Sequence, residues 1–251
     1  MEVEHLYRYP VKGLTAEALD EAELEAGAGL PWDRAFALAQ GDAPFDPAAP
    51  EWLPKSHFMC LMCNARIAAL RAGFDPPTGT LSIRGPDGAG IVADALSQNG
   101  RARIGAFLAA FLGDEARGTP RLHHVPGHVF QDQRRPVVSL INLASLHAYE
   151  KRCGVVRDRM RFRANIYFSG APWSEFDWID RQVQVGKTRL QILKRIARCP
   201  ATQVNPGTAK RDADPVSELR AAYGHSDLGV HALVLEGGKI ALGDAIEVLP
   251  P

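Results

Sequence analysis

The sequence predicts a mainly β protein with inserted helices, a β-rich α+β fold. Short segments of alternating apolar residues recur along the chain, and glycine-containing turns join many of them. Only three segments have the apolar spacing of a helix, and they do not alternate regularly with the strands. This arrangement favours a β-barrel or sandwich over a parallel α/β sheet.

Strand-like alternation marks several segments of the first half of the chain. They are residues 3–9, the pair Phe36 and Leu38, residues 80–84, and residues 90–92 after an Asp87-Gly88 turn. Four prolines predict a loop over residues 41–56. The apolar segment 58–69 fits a strand or a helix, because periodicity alone does not separate the two.

Three helices are predicted from apolar residues at helical spacing and from capping residues. They are a helix through Ile104 and Leu112 closed by Gly113, a helix capped by Asn142 that ends before Gly154, and a helix capped by Asp214, with Pro215 in its first turn, that ends at Gly224.

Hairpins dominate the prediction for the second half. A short strand is expected at 165–168, and a hairpin turning at Gly186-Lys187 leads directly to Cys199. The last segment has the same pattern, with strands at 231–235, 239–242 and 245–249.

The chain of 251 residues is long enough for one large domain or two small ones that share a core. The glycine-, proline- and arginine-containing stretch 114–125 follows the first predicted helix. We therefore place a boundary there, with domains at 1–115 and 116–251.

Composition excludes several classes of protein. No apolar run is long enough to span a membrane, and the acidic N-terminus lacks the apolar core of a signal peptide. Four cysteines are too few for a disulfide framework, so we expect a cytoplasmic protein. No phosphate-binding P-loop, dinucleotide fingerprint or Gly-x-Ser-x-Gly element occurs.

Charge is balanced overall but unevenly distributed. Lys and Arg number 29, as do Asp and Glu. Residues 181–211 nevertheless hold eight basic and no acidic side chains. One cationic segment in a neutral chain predicts a small anionic ligand and argues against nucleic acid as the partner. A solvated basic surface is the alternative.

Cys199 lies in this cationic segment, within the sequence Arg198-Cys199-Pro200. Fixed positive charges make a thiol easier to deprotonate, and a thiolate is both a soft metal ligand and a nucleophile. The residue is therefore a candidate metal ligand or reactive sulfur. A small apolar filler at a strand end is the alternative.

Several motifs in a fixed order resemble the MOSC family, named for the C-terminal domain of molybdenum cofactor sulfurase. They are residues 9–14 (YPVKGL), 33–36 (DRAF), 161–167 (RFRANIY), 173–178 (WSEFDW), 198–202 (RCPAT) and 237–244 (GGKIALGD). The resemblance implies a β-barrel MOSC domain packed on a smaller β-rich N-terminal domain, and molybdenum cofactor as the ligand. The layout is most similar to the amidoxime-reducing proteins.

The resemblance also implies roles for individual residues. Cys199 would be the catalytic sulfur that coordinates molybdenum. The residues expected to bind the cofactor are Lys12, Arg34, Asn142, Arg163, Asn165, Arg198 and Thr202. This chain departs from the family pattern at Gly13, Ala164, Gln203 and Asn205, which weakens any inference about the substrate.

The function implied is a molybdenum-dependent oxidoreductase that removes oxygen from small N-hydroxylated substrates such as amidoximes or hydroxylamines. A separate electron-donor protein would then be required, because the cysteines form no iron–sulfur pattern. A carrier of persulfide sulfur or of the cofactor is the alternative.

Two further motifs have weaker interpretations. The spacing His57-x-x-Cys60-x-x-Cys63 is compatible with metal binding, but its apolar neighbours favour a core segment. His123-His124-x-x-x-His128 lies beside a proline and a glycine, which favours a loop.

Overall fold

The computed structural model describes residues 1–250, and across them the protein has fifteen strands and three α-helices. The strands of the first half are β1 (Glu2–Arg8), β2 (Glu17–Leu19), β3 (Glu21–Leu24), β4 (Phe36–Ala39), β5 (Arg71–Asp75), β6 (Thr80–Arg84), β7 (Gly90–Asp94) and β8 (Arg121–His124). Those of the second half are β9 (Val138–Asn142), β10 (Ile166–Ser169), β11 (Gln182–Val185), β12 (Thr188–Ala197), β13 (Asp227–Glu236), β14 (Gly238–Ala241) and β15 (Ile246–Val248). The helices are α1 (Gln98–Leu112), α2 (Leu143–Cys153) and α3 (Pro215–Tyr223).

An eight-stranded sheet curls into a half-barrel and organises the second half of the chain. Its strand order is β15-β11-β12-β13-β9-β10-β1-β2. The pairing of β9 with β10 is parallel, and α2 makes the connection between them. Three small sheets complete the fold: β14-β3, β4-β8 and β5-β6-β7. The protein is thus mainly β with inserted helices, as predicted.

Two large apolar clusters form the core. One lies against the eight-stranded sheet and includes Leu140, Ile166 and Val230, each fully buried. The other joins the small sheets of the first half to α1, with Phe36 and Ile104 at its centre. Each cluster stabilises its own half, because buried apolar area contributes roughly 25 cal/mol per Å².

The three predicted helices are confirmed, and their caps explain where they begin and end. The side chain of Asn142 accepts a hydrogen bond from the Ala144 N–H, and Asp214 caps α3 in the same way. Gly154 ends α2 in the left-handed conformation, which glycine adopts at little cost. α1 begins six residues before Ile104, at a Ser97 cap.

The prediction of successive hairpins at the C-terminus is wrong. β14 pairs with β3 of the first half, and β15 pairs with β11. The strand positions were predicted correctly, but alternation specifies which face is buried and not which strand is the neighbour. The hairpin of β11 and β12 forms as predicted.

Two other local expectations are revised. The apolar segment 58–69 is mostly turns that end in a 3₁₀ turn at Ala65–Ala69. His123 and His124 lie in β8, paired with β4, and not in a loop. The strand forms because Leu122, directly before the two histidines, is buried in the core.

The first strands of the chain belong to the sheets of the second half. β1 pairs with β10, and β3 pairs with β14. Hydrogen bonding therefore crosses the predicted boundary at 115/116, which remains a prediction. No helix within residues 1–250 has the length and apolar character needed to cross a bilayer.

Candidate functional site

A cavity of about 300 Å³ opens where the end of β12 faces the segment that follows β1. Six basic residues and one acidic residue, Asp132, line it. The basic residues are Lys12, Arg34, Lys55, Arg161, Arg163 and Arg198. Since fixed positive charges on the wall outnumber negative ones, the cavity suits an anionic ligand.

Cys199 lies on the wall of this cavity, partly exposed, two residues beyond the end of β12. Pro200–Gln203 form a 3₁₀ turn directly after it. The backbone N–H and the hydroxyl of Thr202 both donate to the Cys199 carbonyl, at 3.0 and 2.9 Å. These two bonds fix the backbone that carries the sulfur.

On the C-terminal wall of the cavity, neutral carbonyl groups hold Arg163 and Arg198, whereas Arg161 is paired with Asp212. Arg198 Nη1 donates to the Phe162 carbonyl at 2.9 Å, and its Nη2 donates to the Leu228 carbonyl. Arg163 Nη1 donates to the Leu14 carbonyl at 2.8 Å. Burial lowers the pKa of both Arg198 and Arg163 to about 10, which still leaves them charged at neutral pH.

The cations of the N-terminal wall are Lys12, Arg34 and Lys55, and carboxylates hold all three. Arg34 Nη1 lies 2.5 Å from the buried Asp33 carboxylate. Lys12 Nζ lies 2.5 Å from Asp132 Oδ1, and Lys55 Nζ lies 3.1 Å from the other oxygen of that carboxylate. Although burial opposes the effect, the two lysines hold the pKa of Asp132 far below its usual range.

Tyr9 joins the two walls. The guanidinium carbons of Arg34 and Arg163 lie 4.2 and 4.3 Å from the centre of its ring. Arg34 Nη2 also donates to the Arg163 carbonyl at 3.0 Å. Both arginines have a positive φ of 52°, which is uncommon for side chains with a Cβ. Backbone strain of this kind is common at functional sites.

Asn165 lines the cavity, but its amide group is already bonded to protein. Its Oδ1 accepts from the N–H and hydroxyl of Ser139, and its Nδ2 donates to the Tyr7 carbonyl at 3.2 Å. Asn165, directly before β10, therefore links β1 and β9 on either side of that strand, and a ligand must share or displace these bonds.

The placement of Asn142 corrects one expectation. Its side chain caps α2 and donates to the Ala171 carbonyl at 2.6 Å, outside the cavity. The other seven predicted site residues all line the cavity: Lys12, Arg34, Arg163, Asn165, Arg198, Cys199 and Thr202.

Lys55, Asp132 and His231 also line the cavity, and none of them is among the site residues predicted from the sequence. Lys55 follows a proline-rich loop, where a lysine normally marks exposed surface. Although burial opposes the effect, Asp132 and Cys199 raise the pKa of Lys55, so its ammonium lies close to both. No local signal in the sequence places these side chains beside the sulfur.

His231 is a partly buried residue of the site, and its ring nitrogen Nδ1 is fully buried. Its Nδ1 has no hydrogen-bond partner within the described protein. Burial, Arg198 and Lys194 lower its pKa to about 3, so the imidazole is neutral at physiological pH. A neutral ring with a free nitrogen offers a donor or an acceptor to a ligand.

A sulfur beside a cluster of cations suits an anionic ligand and offers a soft donor to a metal. The chain belongs to the MOSC family. The MOSC domain model matches residues 126–247, and the MOSC N-terminal beta barrel domain model matches residues 1–113. MOSC domains are associated in general with the molybdenum cofactor.

Two solved structures are similar to this chain. The YuaD protein from Bacillus subtilis is 15% identical with a TM-score of 0.47, over 98% of this chain and 94% of that one. YiiM from Geobacillus stearothermophilus is 16% identical with a TM-score of 0.36, over 45% of this chain and 54% of that one. The comparison with curated proteins finds no match.

Proposed function

We propose that the cavity binds the molybdenum cofactor, with the Cys199 sulfur as a ligand of the metal. We further propose that the protein is an oxidoreductase that reduces small N-hydroxylated substrates, of the amidoxime or hydroxylamine type. One observation carries the proposal: the only cysteine in the cationic segment 181–211 shares a cavity with six basic side chains.

The residues present fit such a group. Three residues that line the cavity, Arg161, Arg198 and His231, each have a buried side-chain nitrogen with no partner within the described protein. Buried polar groups are normally paired, so unpaired ones on a cavity wall suggest a missing ligand. A volume of about 300 Å³ lies at the lower end of the range for small-molecule sites.

Each wall would have a separate task. Lys12, Arg34 and Lys55 lie on the N-terminal wall and would bind the phosphate end of the cofactor, because phosphate favours Lys and Arg donors. Arg163 and Arg198 would bind the ligand beside the sulfur. When bound, the cofactor supplies two-electron oxygen-atom chemistry, and the protein sets ligation, access and charge.

The first test measures metal and turnover in the same preparation. Protein is purified from a host that makes the cofactor, its molybdenum is quantified by elemental analysis, and benzamidoxime reduction is assayed with an artificial one-electron donor. We expect stoichiometric molybdenum and turnover. Cys199→Ser should lose both, because a hydroxyl is a poor ligand for a soft site. Cys153→Ser, a thiol outside the cavity, is the matched control and should keep both.

The outcomes separate the parts of the proposal. Molybdenum bound without turnover would remove the reductase assignment and leave cofactor binding in place. Labile sulfur on Cys199 without molybdenum would instead establish the sulfur-carrier alternative. Equal molybdenum in wild type and Cys199→Ser would contradict the assigned ligand.

A further inference from the structure

Cys60 and Cys63 form a second sulfur site that the proposed function does not use. They enclose a tight turn of sequence Cys60-Leu61-Met62-Cys63. The Cys63 N–H donates to the Cys60 carbonyl at 3.0 Å, and the Asn64 N–H donates to the same oxygen at 2.8 Å. Both cysteines are free thiols.

This turn holds the Cα atoms of the two cysteines close together. A turn closed by a hydrogen bond between its first and fourth residues holds their Cα atoms within about 7 Å. A disulfide needs a Cα separation of roughly 4.4–6.8 Å. Closing the bond therefore requires little movement of the backbone.

The two thiols differ in access and reactivity. Cys63 is exposed, whereas Cys60 is only 6% exposed. Burial raises the pKa of Cys60 to about 11. An external reagent therefore reaches Cys63 first, and Cys60 is placed to attack from the protein side. This is the arrangement of an attacking and a resolving cysteine.

The site lies on the wall of the cationic cavity. Cys60 and Gly13 both line it. A Cβ placed on Gly13 would lie 3.4 Å from the Cys60 Cα, so the turn packs against the backbone next to Lys12. Gly13 has a φ of +86°, and glycine adopts this conformation most readily. The redox state of the pair thus changes the wall beside a residue proposed to bind the ligand.

We propose that Cys60 and Cys63 form a thiol–disulfide exchange site for low-molecular-weight disulfides of the glutathione type. The Cys63 thiolate attacks one sulfur of the disulfide, and one glutathione thiolate leaves. Cys60 loses its proton and attacks the Cys63 sulfur of the mixed disulfide, and the second glutathione leaves. Two protein thiols are oxidised, and one disulfide is reduced to two thiols.

The test follows both cysteines by peptide mass spectrometry. Full-length protein is incubated with oxidised glutathione, quenched in acid and digested without reductant. In wild type we expect the Cys60–Cys63 disulfide to exceed the glutathione adduct on Cys63 by roughly tenfold, since an intramolecular thiol outcompetes a bimolecular one. Cys60→Ser should trap the adduct on Cys63, because no resolving thiol remains.

Two further variants test whether Cys63 is the cysteine that reacts first. Cys63→Ser alters an exposed side chain, and it should leave Cys60 unmodified. Cys153→Ser, the matched control, should behave as wild type. A stable glutathione adduct on Cys63 in wild type, or equally rapid modification of Cys60 in Cys63→Ser, would overturn the proposal. Neither readout depends on molybdenum or turnover.

Discussion

The two walls of the cavity hold positive charge in different ways. On the C-terminal wall, Arg198 and Arg163 donate to carbonyl oxygens, which carry no net charge. On the N-terminal wall, Arg34 and the two lysines are paired with carboxylates. A cation held by carbonyls keeps its full charge for a ligand, whereas one held by a carboxylate is largely neutralised.

The carboxylates of the N-terminal wall also differ from each other. Asp33 has a fully buried side chain and serves one arginine, whereas the Asp132 side chain is 46% exposed and is shared by Lys12 and Lys55. Only Asp132 is placed to move away when an anion arrives. Asp33 therefore forms a structural ion pair with Arg34, whereas Asp132 forms ion pairs that a ligand can replace.

The largest expected effect concerns Asp33. Asp33→Asn leaves the Arg34 guanidinium without its buried counter-ion, and breaking such a pair costs about 3–5 kcal/mol. The free energy of unfolding, measured by urea denaturation, should fall by this amount. In Asp132→Asn, the matched variant, the fall should be smaller, because the Asp132 side chain is 46% exposed and water can take its place. Equal losses would remove the distinction between the two carboxylates.

A smaller effect on the free energy of unfolding should come from His231, which is partly buried beside the cations of the C-terminal wall. His231 has a folded pKa of about 3, below the ordinary value of 6.5. Its contribution to stability is present above pH 6.5 and is lost as the pH falls towards 3, because only the unfolded state binds the proton in that window. Between pH 6.5 and 5 this amounts to roughly 2 kcal/mol.

His231→Gln isolates this contribution from the other histidines. Unfolding free energies of wild type and variant are compared at both pH values by urea denaturation. Wild type should lose roughly 2 kcal/mol more than the variant over this pH interval. Identical pH dependence would show that burial and the neighbouring cations do not lower the pKa of His231.

The smallest effect should be a gain. Asp132→Asn frees Lys12 and Lys55, so binding of tripolyphosphate should tighten by roughly threefold to tenfold in calorimetry, or about 1 kcal/mol. Asp42→Asn is the control, because Asp42 pairs with Arg117 outside the cavity and should not change the affinity. Unchanged or weaker binding in Asp132→Asn would argue that this carboxylate does not compete with an anion.

Local signals predicted the helices well and the strand neighbours poorly. A cap such as Asn142 or Asp214 acts within its own first turn, so it is visible in a few residues of sequence. The partner of β14 is β3, more than 200 residues away in the chain, and nothing local to either strand specifies it. The C-terminal hairpins were mispredicted for this reason.

The residues of the candidate site also differ in whether the sequence could predict them. Cys199 and Arg198 were found because they lie in one cationic segment, and Lys12, Arg34 and Arg163 were found through family motifs. Asn142 followed the same motifs but acts as a helix cap. Lys55 and His231 carried no motif, since only the packing of distant segments makes them neighbours of the sulfur.

By itself, the sequence determined the fold class, the helices and the cationic segment around Cys199, because periodicity, capping and charge act over a few residues. Only the tertiary structure decided which wall receives each cation, which carboxylate is buried, and that Cys60 and Cys199 share a cavity. These features depend on contacts between residues far apart in the chain, and a protein forms such contacts only by burying its apolar surfaces together.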